Sequence, residues 1–287
     1  AVNAGGDDDT AAETTTTAVE DSTTTTIAEE TTTTAAEDTT TSSTEAPVAF
    51  EPIPVQIGTV LPQTGQLAPI IEALENPIKM GVDEINAVSD GLVTVEYGDS
   101  GTDPNIASTT VDKYLTGDFA GIIGAAASGV SLSIVDKVQG SEVAMCSGSN
   151  TAASLSSADY DPYYSRTAPS DNLQAPSASP ENGEATFPAR LETAFPGTAT
   201  IFSAQKYDCL MVTVLAAQAA QSADPTVFIA EVGNVTKGGE KCSLFEDCYN
   251  LLMTGADIDY DGASGPLDFG PSNEPGIGTY DVFLYDA

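Results

Sequence analysis

The chain has 287 residues, and its formal net charge of −35 reflects 43 acidic residues against only eight Lys and Arg. This charge excludes nucleic acid as a partner held through its phosphates, and it excludes attraction to an anionic membrane surface. The chain also contains no His, which excludes a Ser–His or Cys–His catalytic nucleophile.

The N-terminal residues 1–50 are predicted to form a disordered acidic linker. The first 46 residues carry only acidic charges, and runs of Thr fill the stretch from Thr14 to Thr44. Apart from Val2, Val19 and Ile27 this stretch has no large apolar residue, so burial cannot offset its conformational entropy. The remaining residues, about 240, are enough for a sizeable core.

Three copies of one unit follow the linker, each with a short apolar strand, a loop of small residues and an amphipathic helix. Strands are predicted at residues 55–60, 92–97 and 120–124, and a fourth, at 142–145, leads into the loop 146–151. Strands that alternate with helices of this length predict an α/β fold, with a parallel sheet flanked by helices on both faces. In such sheets, ligands bind beyond the carboxyl ends of the strands.

The loops at these carboxyl ends are rich in Gly, Ala, Ser, Thr and Asn. They run over residues 61–67, 99–106, 125–131 and 147–155. Loops of this composition offer hydrogen bonds and little acid–base chemistry, which favours the holding of a small polar molecule without changing it. We therefore expect a binding protein rather than an enzyme, with no catalytic residue and no cofactor.

Polar residues just beyond the third and fourth strands are the candidate ligand contacts. Ser128 stands at the start of the predicted helix Gly129–Gln139, and the fourth strand is followed by Ser149, Asn150 and Thr151. A hydroxyl at such a position is commonly a helix N-cap. The alternative is that the hydroxyl and the free N–H groups of the first helical turn hold a carboxylate. One residue can serve both roles, so both interpretations stay open.

The four cysteines are typical of an exported protein. Cys242 and Cys248 are spaced for a local disulfide, and Cys146 and Cys209 can form a second bridge, although four cysteines allow three pairings. A metal site is disfavoured because the chain has neither His nor a Cys-x-x-Cys pair.

No hydrophobic stretch is long enough to cross a bilayer. The most apolar run, Cys209–Ala220, is short and broken by polar residues, so it predicts a buried helix that Cys209 opens. Residues Val2–Asp9 resemble the start of a bacterial lipoprotein after its acylated Cys, but no Cys stands there. We expect an exported protein at the cell surface or otherwise outside the cytoplasm, and a membrane tether stays an open alternative.

The segment Asp257–Gly262 copies the start of an EF-hand calcium loop, with aspartates at positions one, three and five and Gly at six. Position twelve is Asp268, where a bidentate Glu is expected. The following segments, Gly265–Phe269 and Thr279–Tyr285, are predicted as strands rather than as an exiting helix. The favoured interpretation is an acidic turn before a hairpin, with calcium binding as the alternative.

Further segments, taken in chain order, carry a resemblance to a known family. They are Ile57–Gly65, Gly81–Ala87, Gly98–Gly101, Gly121–Ser128, Cys146–Thr151, Tyr164–Ser170, Phe202–Asp208 and Asp259–Phe269. Together they resemble the substrate-binding proteins of branched-chain amino-acid ABC importers, which have the type I periplasmic-binding fold. The acidic, Thr-rich spacer is similar to that of the actinobacterial members.

This resemblance implies an amino-acid ligand and an ABC permease in the membrane as partner. It also implies that the first of two lobes holds the α-carboxylate and the ammonium group of the ligand. The matching positions are Ser128 after the third strand, Ser149, Asn150 and Thr151 after the fourth, and Gln63 or its neighbours in the first loop.

The chain departs from the family after Gln174, where a second α/β lobe of about 100–150 residues is expected. We predict lobe 1 at residues 51–168 and 200–256, a shortened crossover at 169–199 and a C-terminal hairpin at 257–287 as the remnant of lobe 2. The missing lobe predicts impaired binding. The alternative is a non-transport surface scaffold on a Thr-rich stalk, and the oligomeric state stays open.

Overall fold

A five-stranded parallel sheet lies at the centre of the computed structural model, which describes residues 49–160, 162–171 and 186–276. The strand order is β2-β1-β3-β4-β5, and in the register Ile57 of β1 lies between Val95 and Gly121. The strands are β1 (Val55–Leu61), β2 (Val93–Asp99), β3 (Gly121–Gly124), β4 (Ala144–Ser147) and β5 (Tyr164–Arg166). The predicted α/β class and the first four strands are confirmed, while β5 had not been predicted.

Helices cover both faces of this sheet. The described ranges contain α1 (Ile71–Val88), α2 (Pro104–Leu115), α3 (Ser128–Gln139), α4 (Phe187–Ala194), α5 (Ser203–Ala219), α6 (Pro225–Phe228), α7 (Glu231–Asn234) and α8 (Phe245–Met253). Apolar side chains of α1 and α5 pack with Ile57 and Leu61 of β1. Those of α2 and α3 pack on the opposite face with Val60 and Ile122. This alternation is what a strand with side chains on two buried faces requires.

Helix α5 is the buried helix that the apolar run predicts, and fourteen of its seventeen residues are buried. It begins at Ser203, so the prediction that Cys209 opens it is wrong. The first two turns are polar in sequence, and tertiary contacts bury them: Ser203 Oγ donates to Ala73 O over 2.9 Å. A hydropathy pattern does not predict the burial of polar residues by tertiary contacts. None of the described helices is both long and apolar enough to cross a bilayer.

A small second sheet packs beside α5 and α8. It is made of β6 (Glu240–Cys242), β7 (Ile258–Gly262) and β8 (Gly265–Pro266), in that order. Strands β7 and β8 pair antiparallel, but the predicted C-terminal hairpin over residues 257–287 stays a prediction, because part of it lies outside the described residues. The acidic turn and the calcium loop are both wrong for Asp257–Gly262, because residues 258–262 are strand β7. Asp259 and Asp261 pair with Lys241 there, and the described residues contain no cluster of three potential metal ligands.

Other predicted segments lie wholly or partly outside the described residues. The linker is outside them apart from its last two residues, and Thr279–Tyr285 is wholly outside. Within the described ranges, only α4 lies between β5 and α5. The predicted domain boundaries, including the shortened crossover, stay predictions.

Both predicted disulfides are present. Cys146–Cys209 joins β4 to α5 across 63 residues of sequence, and Cys242–Cys248 joins β6 to α8 across six. The long bridge therefore links the chain before the predicted crossover to the chain after it.

The lengths of the two closed loops predict unequal contributions to stability. Replacing Cys146 and Cys209 together by Ala should lower the free energy of unfolding by about 4 kcal/mol, because the closed loop is long. The matched pair of changes at Cys242 and Cys248 should cost about 2 kcal/mol. Urea unfolding followed by circular dichroism measures both losses, and a larger loss for the short bridge would contradict this ranking.

Candidate functional site

The loops that leave β1 and β2 are fastened together at the carboxyl edge of the sheet. Ser100 N donates to Leu61 O over 2.7 Å. Thr64 donates to the Asp99 carboxylate through its backbone N at 3.0 Å and through Oγ1 at 2.5 Å. Burial alone raises the pKa of Asp99, but hydrogen bonds from Thr64 and Gly101 outweigh it and lower the pKa below its ordinary value. Asp99 is therefore an ionised brace between two loops.

Ser128 and Thr151 lie together at the same edge. Ser128 Oγ accepts hydrogen bonds from Thr151 N at 3.3 Å and from Ala152 N at 3.4 Å. The N-cap of α3 is Ala127, so the N-cap interpretation of Ser128 is wrong. Ser128 is instead the first helical residue, and its hydroxyl reaches the loop after β4. Both Ser128 and Thr151 are partly exposed.

Ser149 and Asn150 lie in the same loop, but their side chains bond within the protein. Asn150 is fully buried; its amide nitrogen donates to Ala125 O and Ala126 O, each at 3.1 Å. Its oxygen accepts from Tyr164 Oη at 3.0 Å, and Ser149 Oγ donates to Ala126 O at 3.0 Å. These side chains hold the loops after β3 and β4 together, which leaves Ser128 and Thr151 as the accessible predicted groups beyond these two strands.

Gln63 is exposed in the loop after β1. Its amide donates to Glu75 Oε1 in α1 at 3.0 Å, and Lys79 Nζ also bonds Glu75, at 2.9 Å. Among the hydrogen bonds of the described residues, none joins Gln63 to Ser128 or Thr151. The structure brings Ser128, Ser149, Asn150 and Thr151 together and places Gln63 in a separate cluster.

Arg166 is a functional candidate that sequence reasoning missed. It is fully buried at the end of β5 and donates to Asn150 O at 3.2 Å and to Ala152 O at 3.0 Å. It also bonds Ser156 Oγ at 2.5 Å and forms an ion pair with Glu274. One guanidinium therefore fixes the loop after β4 from both ends. No local signal reveals this role, since Glu274 lies 108 residues further along the chain.

A buried carboxyl group and a buried amine lie on α5, at Asp208 and Lys206. Burial raises the pKa of Asp208 to about 6, although hydrogen bonds from Ser264, Tyr260 and Ala263 N oppose the rise. These bonds tie the hairpin of β7 and β8 to α5. Burial also lowers the pKa of Lys206 to about 7. Lys206 Nζ has no hydrogen-bond partner among the described residues.

Two open grooves lie away from this edge. One, of about 520 Å³, lies between α1 and α4 and is lined by residues that include Met80 and Ala189. The other, of about 440 Å³, lies between α1 and α8 and includes Phe245 and Asn250. Glu84 and Arg190 line both grooves and form an ion pair. None of the predicted contact residues lines either groove.

Residues 54–181 match the family model of the periplasmic binding proteins. A leucine-binding protein from Thermotoga maritima is 13% identical, and the alignment covers 77% of this chain and 92% of that protein with a TM-score of 0.60. A branched-chain amino acid transporter substrate-binding protein from Streptococcus pneumoniae, solved with isoleucine, is 11% identical, with 77% and 93% covered and a TM-score of 0.60.

An ABC transporter substrate-binding protein from Desulfitobacterium hafniense is 11% identical, with 76% of this chain and 94% of that protein covered and a TM-score of 0.55. No curated protein sequence matches the chain. At these identities the solved structures establish the fold, and the family model establishes the resemblance seen in the sequence. Residues 54–181 are therefore similar to the periplasmic binding protein family, and the described part of the chain has the type I fold of the solved structures.

Proposed function

We propose that the protein is an extracytoplasmic solute-binding protein of an ABC importer that holds a small amino acid at the carboxyl edge of its sheet. The observation that carries this proposal is the pairing of Ser128 with Thr151 and Ala152 at the start of α3. These groups are partly exposed, whereas the polar side chains beside them are buried and fully bonded.

The chemistry of this position suits a carboxylate. The first N–H groups of a helix point outward and carry the positive end of the helix dipole. The bonds from Thr151 N and Ala152 N to Ser128 Oγ are long, at 3.3 and 3.4 Å, and therefore weak. A ligand carboxylate is the stronger acceptor, and it can replace Ser128 Oγ at these donors while the hydroxyl turns to donate to it.

Two further observations support the proposal. Solved proteins of this fold include one named as leucine-binding and one in complex with isoleucine. Both disulfides favour an oxidising compartment outside the cytoplasm, where such bonds persist. An ABC permease follows as the partner, because importers of this class receive their solute from the binding protein.

The predicted loss of most of lobe 2 limits the affinity that we propose. Type I proteins close two lobes around the ligand, and the closed cleft removes most of the ligand surface from water. A single edge buries less of the ligand. We therefore propose binding weaker than micromolar, and transport impaired by the internal shortening.

Calorimetric titration of the full chain with a panel of amino acids tests the proposed function. We expect L-leucine and L-isoleucine to bind with dissociation constants above about 1 μM. Replacing Ser128 by Ala should weaken binding at least tenfold, because the hydroxyl contacts the carboxylate. Ser133→Ala is the matched control on α3, since Ser133 Oγ bonds only Val130 O among the described residues, and it should leave the affinity unchanged.

The outcomes of this titration separate the alternatives. Absence of heat for every amino acid with the wild-type chain would contradict solute binding and leave the surface scaffold. Submicromolar binding would contradict the impairment while supporting the binding function.

Arg166 offers a second test, because it fixes the loop that carries Thr151. Arg166→Met leaves the Glu274 carboxylate without its cationic partner and should cost about 3 kcal/mol in the free energy of unfolding. Amide hydrogen exchange should accelerate at least tenfold over residues 151–156. Arg190→Met, which breaks the ion pair with Glu84, is the control and should leave exchange in this loop unchanged. Equal exchange in both variants would show that Arg166 does not position the loop.

A further inference from the structure

Lys206 lies in the first turns of α5, at the carboxyl edge of the sheet. Thr167 Oγ1, one residue beyond β5, donates to the neighbouring Gln205 O over 2.6 Å. Gly148, the residue before the Ser149–Thr151 loop, packs against the same turn, and a Cβ at Gly148 would lie 2.7 Å from Lys206 N. The backbone of Lys206 is therefore in direct contact with the loop of the candidate site.

The position of Lys206 on the helix gives the direction of its side chain. Cys209, three residues later, is bonded to Cys146 of β4. Thr213, seven residues later, lies 3.3 Å from the Cβ position of Gly121 in β3. Residues at this spacing share one helical face, so Lys206 faces the sheet. Helical side chains lean toward the N-terminus of their helix, which directs the amine toward the carboxyl edge.

The amine of Lys206 is fully buried and has no hydrogen-bond partner among the described residues. This isolation is specific to Lys206, because each of the other five lysines has a carboxylate or carbonyl partner. The partnered lysines are Lys79, Lys113, Lys137, Lys237 and Lys241. A buried amine with no partner is costly, and an anion that enters from the edge would relieve that cost.

The described carboxylates around α5 do not supply this partner. Glu75 of α1 bonds Lys79 and Gln63, and Glu84 of α1 bonds Tyr207 of α5 and Arg190. Asp208 on α5 itself bonds Tyr260 and Ser264.

We propose that Lys206 forms an anion subsite for the carboxylate group of a small ligand, together with the first N–H groups of α5. No side chain caps this helix. Ser203 N donates to Thr200 O, so the N–H groups of Ala204 and Gln205 are the first-turn donors that remain for an anion beside the amine. This inference rests on the proposed function and adds a second, cationic contact to it. Because the amine is fully buried, the residues that cover it must shift as the anion enters.

The subsite predicts a change in the charge of Lys206 on binding. Burial holds its pKa near 7, so the amine is mostly uncharged at pH 8. A bound carboxylate favours the charged ammonium, so binding should take up one proton at Lys206.

The test uses the full chain labelled with ¹³C and ¹⁵N at its lysines, with the Lys206 signal assigned from its loss in Lys206→Met. At pH 8, sodium acetate should move the Lys206 signal toward that of a charged ammonium, and sodium chloride at equal ionic strength should not. L-Leucine should do the same at lower concentration, whereas 3-methylbutylamine, which is leucine without its carboxylate, should have no effect.

Matched variants give the binding readout. Lys206→Met should bind L-leucine at least tenfold more weakly, and Lys113→Met, which changes an exposed lysine paired with Glu96, should bind normally. Lys206→Met should also be more stable than the wild type at pH 7. The wild-type chain gains stability as the pH rises from about 7 to 10.5, because the unfolded chain binds the extra proton there. The variant should lack this gain, and its higher free energy of unfolding at pH 7 would show that it is folded.

Each outcome decides between the two proposals. Movement of the Lys206 signal with acetate but not with any amino acid would support the subsite and contradict amino-acid binding. Equal leucine affinity in the wild type and in Lys206→Met would overturn the subsite and leave the proposed function standing. A Lys206 signal that neither probe moves would overturn the subsite as well.

Discussion

The structure depends on the burial of α5 against the sheet. A parallel sheet has two apolar faces, and each must be covered before the strands are stable. The segments that directly follow β1, β2 and β3 supply α1, α2 and α3, but α1 alone does not cover its face. Helix α5 covers the rest of that face, and it follows the predicted crossover in the sequence. The sheet and the C-terminal part of the chain must therefore fold together.

Several interactions fasten α5 where this constraint places it. The Cys146–Cys209 disulfide joins its middle to β4. Near its end, the Gln218 side chain donates to Ile53 O at 2.7 Å and accepts from Ile53 N at 2.9 Å. Asp208 fastens the small second sheet to its other side. These contacts explain how the described part of the chain packs together without a second large lobe. They also place Lys206 against the loop that follows β4.

The sequence was sufficient to predict the sheet and its carboxyl edge, because both follow from local pattern. Alternating apolar strands and amphipathic helices predict the four strands from Val55 to Ser147 and the loops at their ends. The spacing of the cysteines allowed these two disulfides among three possible pairings, and the fold brings Cys146 to Cys209 and Cys242 to Cys248. Strand β5 has only three residues, which is too few for a periodic signal.

The parts that were missed depend on contacts between distant segments. Ser128 has the residue type of an N-cap, but its hydroxyl instead accepts a hydrogen bond from Thr151 N in the loop after β4. Asp257–Gly262 has the residue pattern of a calcium loop, but pairing with β6 and β8 makes it a strand. The isolation of Lys206 and the bonds of Arg166 arise only when the loop after β4 meets β5 and α5. The spacing of residues along the chain does not predict these contacts.

The central claim is that a single lobe, held together through α5, binds a small amino acid at its carboxyl edge. Amide ¹H–¹⁵N NMR of the labelled full chain during titration with L-leucine tests it most directly. The account predicts dispersed signals of a folded lobe and shifts centred on Ser128, Thr151 and Lys206. Shifts centred on Met80 and Ala189, in the groove between α1 and α4, would contradict it, as would a spectrum that leucine leaves unchanged.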